Sequence, residues 1–363
     1  YKDILQKKQQ IFDVHFFPFR NKVVKILFVV IILCFKLIIL AMSRPKVKSQ
    51  PLLVIIGPTA SGKTDLGLKL AKKFKAYIIS ADSRQLYKYA PIGTNQPVGE
   101  HKIGNRELRS FFGPRKLYLV KNVPHFFINT TLPTKTYSAA EFQKEAYKLL
   151  NSRFSIPDSK ALLPILVGGT GLYVSAITEG YEFPSLKANP KLRKILARLS
   201  TPKLLSRLER LDPSTYQSID KNNRQRLIRA LEYVISSGQS FILSQKRQPR
   251  PNTLILGLNP SKEKLRLAIA KRTDQMLKNG LLKETTYLAK HYPKSILLKT
   301  IGYQEVLPVL KKQRSLEEAR TMINNHTWQY ARRQLTWFRK MPNITWVKNY
   351  SQAENLLRRW LAK

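Results

Sequence analysis

Leu52-Leu-Val-Ile-Ile56 runs without a polar residue into Gly57-Pro-Thr-Ala-Ser-Gly62-Lys63-Thr64. Five apolar residues in a row suit a parallel strand covered on both faces. The next eight fit G-x-x-x-x-G-K-[ST], whose glycines let backbone N–H groups converge on phosphate oxygens at a helix start. Gly57, Pro58, Thr59, Ala60, Ser61, Gly62, Lys63 and Thr64 are therefore the expected phosphate site. Lys63 supplies a point charge, and the Thr64 hydroxyl is the expected Mg²⁺ ligand. Leu66, Leu68, Leu70, Ala71 and Phe74 then mark the apolar side of a following helix, so the motif has a strand before it and a helix after it.

Further apolar strands are predicted at Ala76–Ser80, Leu162–Val167 and Thr253–Leu258. In open α/β sheets ligands sit beyond the carboxyl ends of the strands. That places Asp82, in Ala81-Asp82-Ser83-Arg84-Gln85-Leu86-Tyr87, near the phosphate loop. Its carboxylate reads either as a general base or metal ligand, or as a helix N-cap. Gly168-Gly169-Thr170-Gly171 after the third strand reads either as a ligand loop or as a tight turn. The pattern predicts an α/β fold: a P-loop NTPase-like parallel sheet flanked by helices. Residues 184–250 interrupt it with helices at 190–199, 201–211 and 222–237, bounded by Pro184 and by Pro249 and Pro251. Two basic helices, around 262–279 and 316–340, follow, and in the second Tyr330, Leu335, Trp337 and Phe338 are expected to pack inward.

The 363 residues carry 65 Lys and Arg against 22 Asp and Glu, a net charge of +43, with 43% hydrophobic residues. The apolar content excludes a disordered basic tail, and a single Cys excludes a disulfide framework or multi-Cys zinc module. The charge favours a polyanion, most simply nucleic acid, although codon bias or a saline cytoplasm also produces such an excess. Val23–Ala41 is a 19-residue greasy run holding Lys25 and Lys36, close to the ~20 residues that span a bilayer. It reads as an upstream extension before a start at Met42, or as a membrane tether. Residues 1–41 hold 7 basic and 2 acidic residues, so +38 stays with the remainder.

GPTASGKT at 57–64, SADSRQLY at 80–87, IGT at 92–94, YSAAEF at 137–142 and VGGTGLY at 167–173 resemble the tRNA dimethylallyltransferase family, of bacterial type. NNRQRLIRALE at 222–232, IGYQE at 301–305 and QYARRQLTWFRK at 329–340 extend the resemblance over residues 51–348. It implies transfer of a dimethylallyl group from its diphosphate to the exocyclic amine of the tRNA adenosine just 3′ of the anticodon. It implies Asp82 as the carboxylate that takes the amine proton, with Arg272, Lys63, Thr64 and Mg²⁺ offsetting charge on the departing diphosphate. It also implies that Asp82, Ser83, Arg84, Gln85 and Thr170 meet the target nucleotide, drawn out of its stack. Gln225, Arg226, Leu227, Ile228 and Arg229 would touch tRNA from a helical insertion over the anticodon stem. That insertion, 184–250, carries 15 Lys and Arg against 4 Asp and Glu, a net +11.

The expected organisation is a catalytic core from 42–183 and 251–350, the insertion between, and a C-terminal tail at 351–363. The partners implied are tRNA and dimethylallyl diphosphate, with no protein partner, a monomeric state, and a cytoplasmic location unless residues 1–41 act as a tether. Departures from the family pattern are Gln96 and Trp328, where basic residues are common, Asn129 in place of an acid, Lys221-Asn222-Asn223, and a longer basic stretch at 98–123. That stretch reads as an extra RNA-binding loop or a tolerated surface insertion. A P-loop kinase for a nucleoside or small molecule, and a non-catalytic RNA-binding protein, are the rival readings.

Overall fold

The computed structural model describes residues 50–103, 116–151, 162–183, 186, 189–245 and 247–363. The run at 23–41 lies outside these, and among the described residues no helix is long and apolar enough to cross a membrane. The chain begins with β1 (Leu52–Ile56), α1 (Lys63–Lys73) and β2 (Ala76–Ser80). An edge unit of β3 (Glu100–Ile103), β4 (Lys116–Val120) and β5 (Val123–Phe126) follows, then α2 (Ala139–Asn151), β6 (Leu163–Gly168) and α3 (Gly171–Thr178). Four helices come next: α4 (Pro190–Leu196), α5 (Thr201–Leu211), α6 (Pro213–Ser218) and α7 (Arg224–Ser237). The chain returns through β7 (Thr253–Leu258) to α8 (Lys262–Lys278), α9 (Leu281–His291), α10 (Tyr303–Leu310), α11 (Leu316–Arg339), β8 (Ile344–Val347) and α12 (Tyr350–Leu361).

The eight strands stand in the order β3-β4-β5-β2-β6-β1-β7-β8. From β5 to β8 every pairing is parallel, while β3 and β4 are antiparallel. All of β1 is buried because helices cover both faces. Leu52, Val54 and Ile56 pack with Phe142, Tyr173, Ile177 and Phe338 from α2, α3 and α11. Leu53 and Ile55 point the other way, to Leu66 and Leu70 of α1 and to Ala353 and Leu357 of α12. A continuous apolar strand is what a sheet covered on both faces requires.

Two expectations change. The stretch at 98–123 contributes all of β3 and β4 to the sheet edge, so its ends are strands rather than free loop; residues 104–115 lie outside the described part. The segment 351–363 is not a tail: α12 buries Ala353 and Leu357 in the core, because its apolar residues recur at helical spacing. Helix ends shift by a few residues, α4 closing at Leu196 and α7 opening at Arg224 behind an Asn223 N-cap.

The four-helix segment has a core of its own, built from Leu196, Leu204, Leu208, Leu227, Leu231 and Phe241. Its entry and exit lie side by side. Tyr181 bridges Arg247, and Gln248 N–H donates to the Gly180 carbonyl at 3.1 Å. Gly180 has φ +59, and a Cβ there would stand 2.0 Å from the Gln248 carbonyl oxygen, so only glycine fits this neck.

Candidate active site

The phosphate loop leaves β1 beside β6 and β7, at the carboxyl end of the sheet, and α1 begins at Lys63 behind Gly62 in the left-handed region. Lys63 Nζ donates to the Pro58 carbonyl at 3.1 Å, which folds the side chain back over the loop. Burial pulls the Lys63 ammonium down to about 8; the Asp82 carboxylate opposes this and the Arg272 guanidinium adds to it. Arg272, on α8, donates through Nη1 to the Thr59 hydroxyl. Its own proton affinity is lowered by burial, against the pull of Asp82. Two cations and one carboxylate from three distant segments thus share one electrostatic neighbourhood. The Ser61 hydroxyl is buried in this loop without a hydrogen-bond partner.

Asp82 follows β2. Its Oδ1 accepts from the Arg84 N–H at 2.9 Å and more loosely from the Gln85 N–H at 3.4 Å. The carboxylate therefore fixes the turn at 83–86, where no helix follows for it to cap, and its charge is felt by both Lys63 and Arg272. Thr170 closes the other side: its hydroxyl accepts from the Ser83 N–H at 3.0 Å. The Gln85 side chain is held between the Ser80 hydroxyl at 3.1 Å and the Asn95 carbonyl at 2.9 Å. Ser83, Arg84, Gln85 and Thr170 are all partly accessible around Asp82.

Three residues given no site role from the sequence support this site. Gln334 on α11 accepts from the Thr59 N–H at 2.8 Å and donates to the Gly169 carbonyl at 2.8 Å. It interrupts the buried stripe Thr327, Ala331, Phe338, and a polar residue on a buried stripe is the signal that marks it. Tyr330, one turn earlier, has its phenol pushed up to about 12, chiefly by burial and then by the Asp82 charge. Glu284 on α9 accepts from the Ile92 and Gly93 N–H groups at 2.9 and 2.7 Å and from the Tyr303 hydroxyl at 2.7 Å, which pins IGT to IGYQE.

The expected inward packing of the α11 aromatics holds for Phe338, which is fully buried, and not for Trp337, which stays 38% exposed while its Nε1–H reaches the Ser175 hydroxyl at 3.2 Å. The departures from pattern also find places. Gln96 is buried and donates to the Gln85 and Tyr87 carbonyls at 2.9 and 2.7 Å. Asn129 holds the Gln85 carbonyl with its backbone N–H at 3.0 Å and sits at φ 53, where Asn is tolerated. Trp328 packs near Ala60 under the Arg266 guanidinium, 4.5 Å from its ring.

On α7 the residues expected at RNA divide by burial. Gln225 and Arg226 are exposed. Leu227 lies wholly inside the helical core and Ile228 packs against it, so neither presents a free side chain. Arg229 is paired at 2.5 Å with buried Glu232, which Arg193 also clasps through two bonds of 2.9 Å. Arg224 caps α4 by donating to the Ala197 and Leu199 carbonyls. Of the five, Gln225 and Arg226 have the exposed side chains, while Ile228 and Arg229 are partly exposed and Leu227 is buried.

A family model for IPP transferase matches residues 85–341. The chain belongs to the IPP transferase family. Within it, the tRNA dimethylallyltransferase of Acetivibrio thermocellus is 38% identical over 305 residues, covering 81% of this chain and 90% of that protein. That of Carboxydothermus hydrogenoformans is 36% identical, covering 84% and 94%. The family fold is shared with the full-length tRNA isopentenylpyrophosphate transferase of Bacillus halodurans, with a TM-score of 0.59 at 30% identity over 86% of this chain and 96% of that one. A eukaryotic dimethylallyltransferase, solved acting on tRNA, aligns with a TM-score of 0.65 at 27% identity, covering 84% of this chain and 75% of that one.

Proposed function

We propose that this member of the IPP transferase family transfers a dimethylallyl group from dimethylallyl diphosphate to the N6 amine of the tRNA adenosine immediately 3′ of the anticodon, releasing diphosphate. The observation that carries the reading is the meeting of Asp82 with Lys63 and Arg272 at the mouth of the phosphate loop. A P-loop kinase shares the loop and cations and can also use a carboxylate base, but it has no need of a helical insertion of net +11, and relatives 36–38% identical are tRNA dimethylallyltransferases.

In this mechanism the loop N–H groups, Lys63 and Arg272 bind the diphosphate and stabilise the negative charge it gains as the carbon–oxygen bond breaks. Thr59 holds Arg272 in place. Asp82 accepts a hydrogen bond from the adenine amine and takes its proton as the new carbon–nitrogen bond forms. The amine lies on the pairing edge of the base, so the nucleotide enters the pocket unstacked, with Thr170 and Ser83 beside it. Among the described residues no cluster of three or more His, Cys, Asp or Glu could cage a metal. Mg²⁺, which usually binds through one or two protein ligands and the substrate's phosphates, would instead be held by the Thr64 hydroxyl. The buried, unpartnered Ser61 hydroxyl suits a site completed by phosphate oxygens or hydrated cation. When bound, the metal adds charge neutralisation to the leaving group. The chain acts as a monomer, and the exposed cations of the helical segment, Arg226 among them, contact the anticodon stem.

The test is incubation with unmodified tRNA and either dimethylallyl diphosphate or ATP. Dimethylallyladenosine found by nucleoside mass spectrometry is the expected product. Phosphate transfer from ATP without prenylated tRNA refutes the proposal.

A further inference from the structure

We infer that Gln334 is a positioning residue that sets the distance between the phosphate loop and the loop that carries the acceptor pocket. The inference rests on the prenyl-transfer reading of the site. Gln334 is only 6% exposed, yet no end of its carboxamide is idle. Its Oε1 accepts from the Thr59 N–H at 2.8 Å, and its Nε2–H donates to the Gly169 carbonyl at 2.8 Å. These partners lie on the loops after β1 and β6, which are neighbouring parallel strands. Thr59 also accepts from Arg272. Gly169 precedes Thr170, whose hydroxyl receives the Ser83 N–H beside Asp82. One planar amide therefore links the group that holds the leaving diphosphate to the group that holds the incoming base.

Only a carboxamide of this length can serve both loops. An ionised carboxylate accepts but cannot donate, and a thioether or methyl does neither. Gly169 is matched to it: a Cβ at that position would lie 2.3 Å from Nε2 and would drive the amide out. Its next neighbours, Gln334 Cδ at 3.4 Å and the Gly57 carbonyl oxygen at 3.5 Å, are at ordinary contact distance. The clash is thus with the Gln334 side chain alone, and removing that side chain removes the reason for glycine. Reaction between two bound partners depends on their alignment, and sub-ångström misplacement is costly.

A double-mutant cycle tests this. Gln334→Ala and Gly169→Ala are each expected to lower kcat for dimethylallyl transfer by about 10- to 100-fold, with the KM for tRNA nearly unchanged. The double variant should be no slower than Gln334→Ala. Gln334→Met, which keeps volume and helix propensity, should fold with a native circular dichroism spectrum and still lose kcat. Affinity for inorganic diphosphate, measured by titration calorimetry, should follow the same non-additive cycle. Multiplicative losses in the double variant, wild-type kcat in either single variant, or an effect confined to the KM for tRNA overturns the inference. A wild-type protein that makes no prenylated tRNA refutes the proposed function, while the diphosphate cycle still decides the role of Gln334.

Discussion

The Asp82 carboxylate fixes the turn at 83–86 and, in the proposed mechanism, also takes a proton; the two roles can be separated. Asp82→Asn keeps an oxygen to accept the Arg84 N–H, so the turn at 83–86 persists while the proton acceptor is lost. The expected outcome is a fall in kcat of about 10²- to 10⁴-fold with tRNA affinity retained; normal turnover in steady-state assays rules Asp82 out as the base. Lys63 makes a prediction about pH. Its ammonium titrates near 8, chiefly through burial, so the free protein loses this charge as pH rises through that value. A bound anion favours the charged form, so diphosphate binding takes up a proton there and weakens by up to about tenfold per unit of pH. Lys63→Arg, always charged, should lack that decline. Calorimetric titrations at pH 7, 8 and 9 compare the two, and parallel curves refute the assignment. Lys63 and Thr64 could be read from their spacing in the motif and Asp82 from its place after a strand. Arg272 was marked by resemblance alone. Gln334, Tyr330 and Glu284 stayed hidden because their partners are backbone atoms or side chains far away in sequence, such as the Gly169 carbonyl, 165 positions from Gln334.

Among elements, α7 shows why a basic run is not automatically a binding face. The Glu232 carboxyl at its centre is fully buried. Burial alone would raise its pKa, but hydrogen bonds from Arg193, Arg229 and the Asn189 N–H outweigh that and hold it below the usual range. A carboxyl with a depressed folded pKa contributes stability above its unfolded value of about 4.3, and that contribution is lost as pH falls through the folded value. Glu232→Ala leaves two partly exposed guanidinium groups without their shared acceptor and should cost about 1–3 kcal/mol. The loss should fall on the four-helix segment, seen in hydrogen exchange as faster opening of α4 and α7 than of β1 and β6. Equal acceleration in both refutes a local role. At this scale the sequence was legible where apolar spacing was long and regular, as in β1 and α11. It was opaque at β3 and β8, short edge strands with exposed residues whose pairing is set by neighbours rather than by their own pattern. The α12 helix was missed because its polar face dominates the composition of residues 351–363.

For the whole molecule, the net +43 is only partly accounted for by sites. Lys63 and Arg272 belong to the phosphate loop, while Arg193, Arg224 and Arg229 are spent inside the helical segment. Arg226 is exposed, with a 3.3 Å contact to Gln245 and its guanidinium 6.0 Å from the Phe241 ring centre. Arg226→Ala should weaken tRNA binding to a similar degree for every substrate sequence, and should flatten the plot of log affinity against log salt by about 0.7–0.9. Filter binding from 50 to 300 mM salt measures this, and an unchanged slope removes Arg226 from the interface. The neck at Gly180 has a different consequence. Because the chain leaves and re-enters the sheet within one hydrogen bond of itself, everything between Tyr181 and Arg247 is topologically a detachable cassette. The parallel sheet does not need it to close, so β7 could follow α3 through a short bridge. An exchange of the cassette between relatives, joined at this neck, would therefore leave the sheet and the phosphate loop covalently untouched.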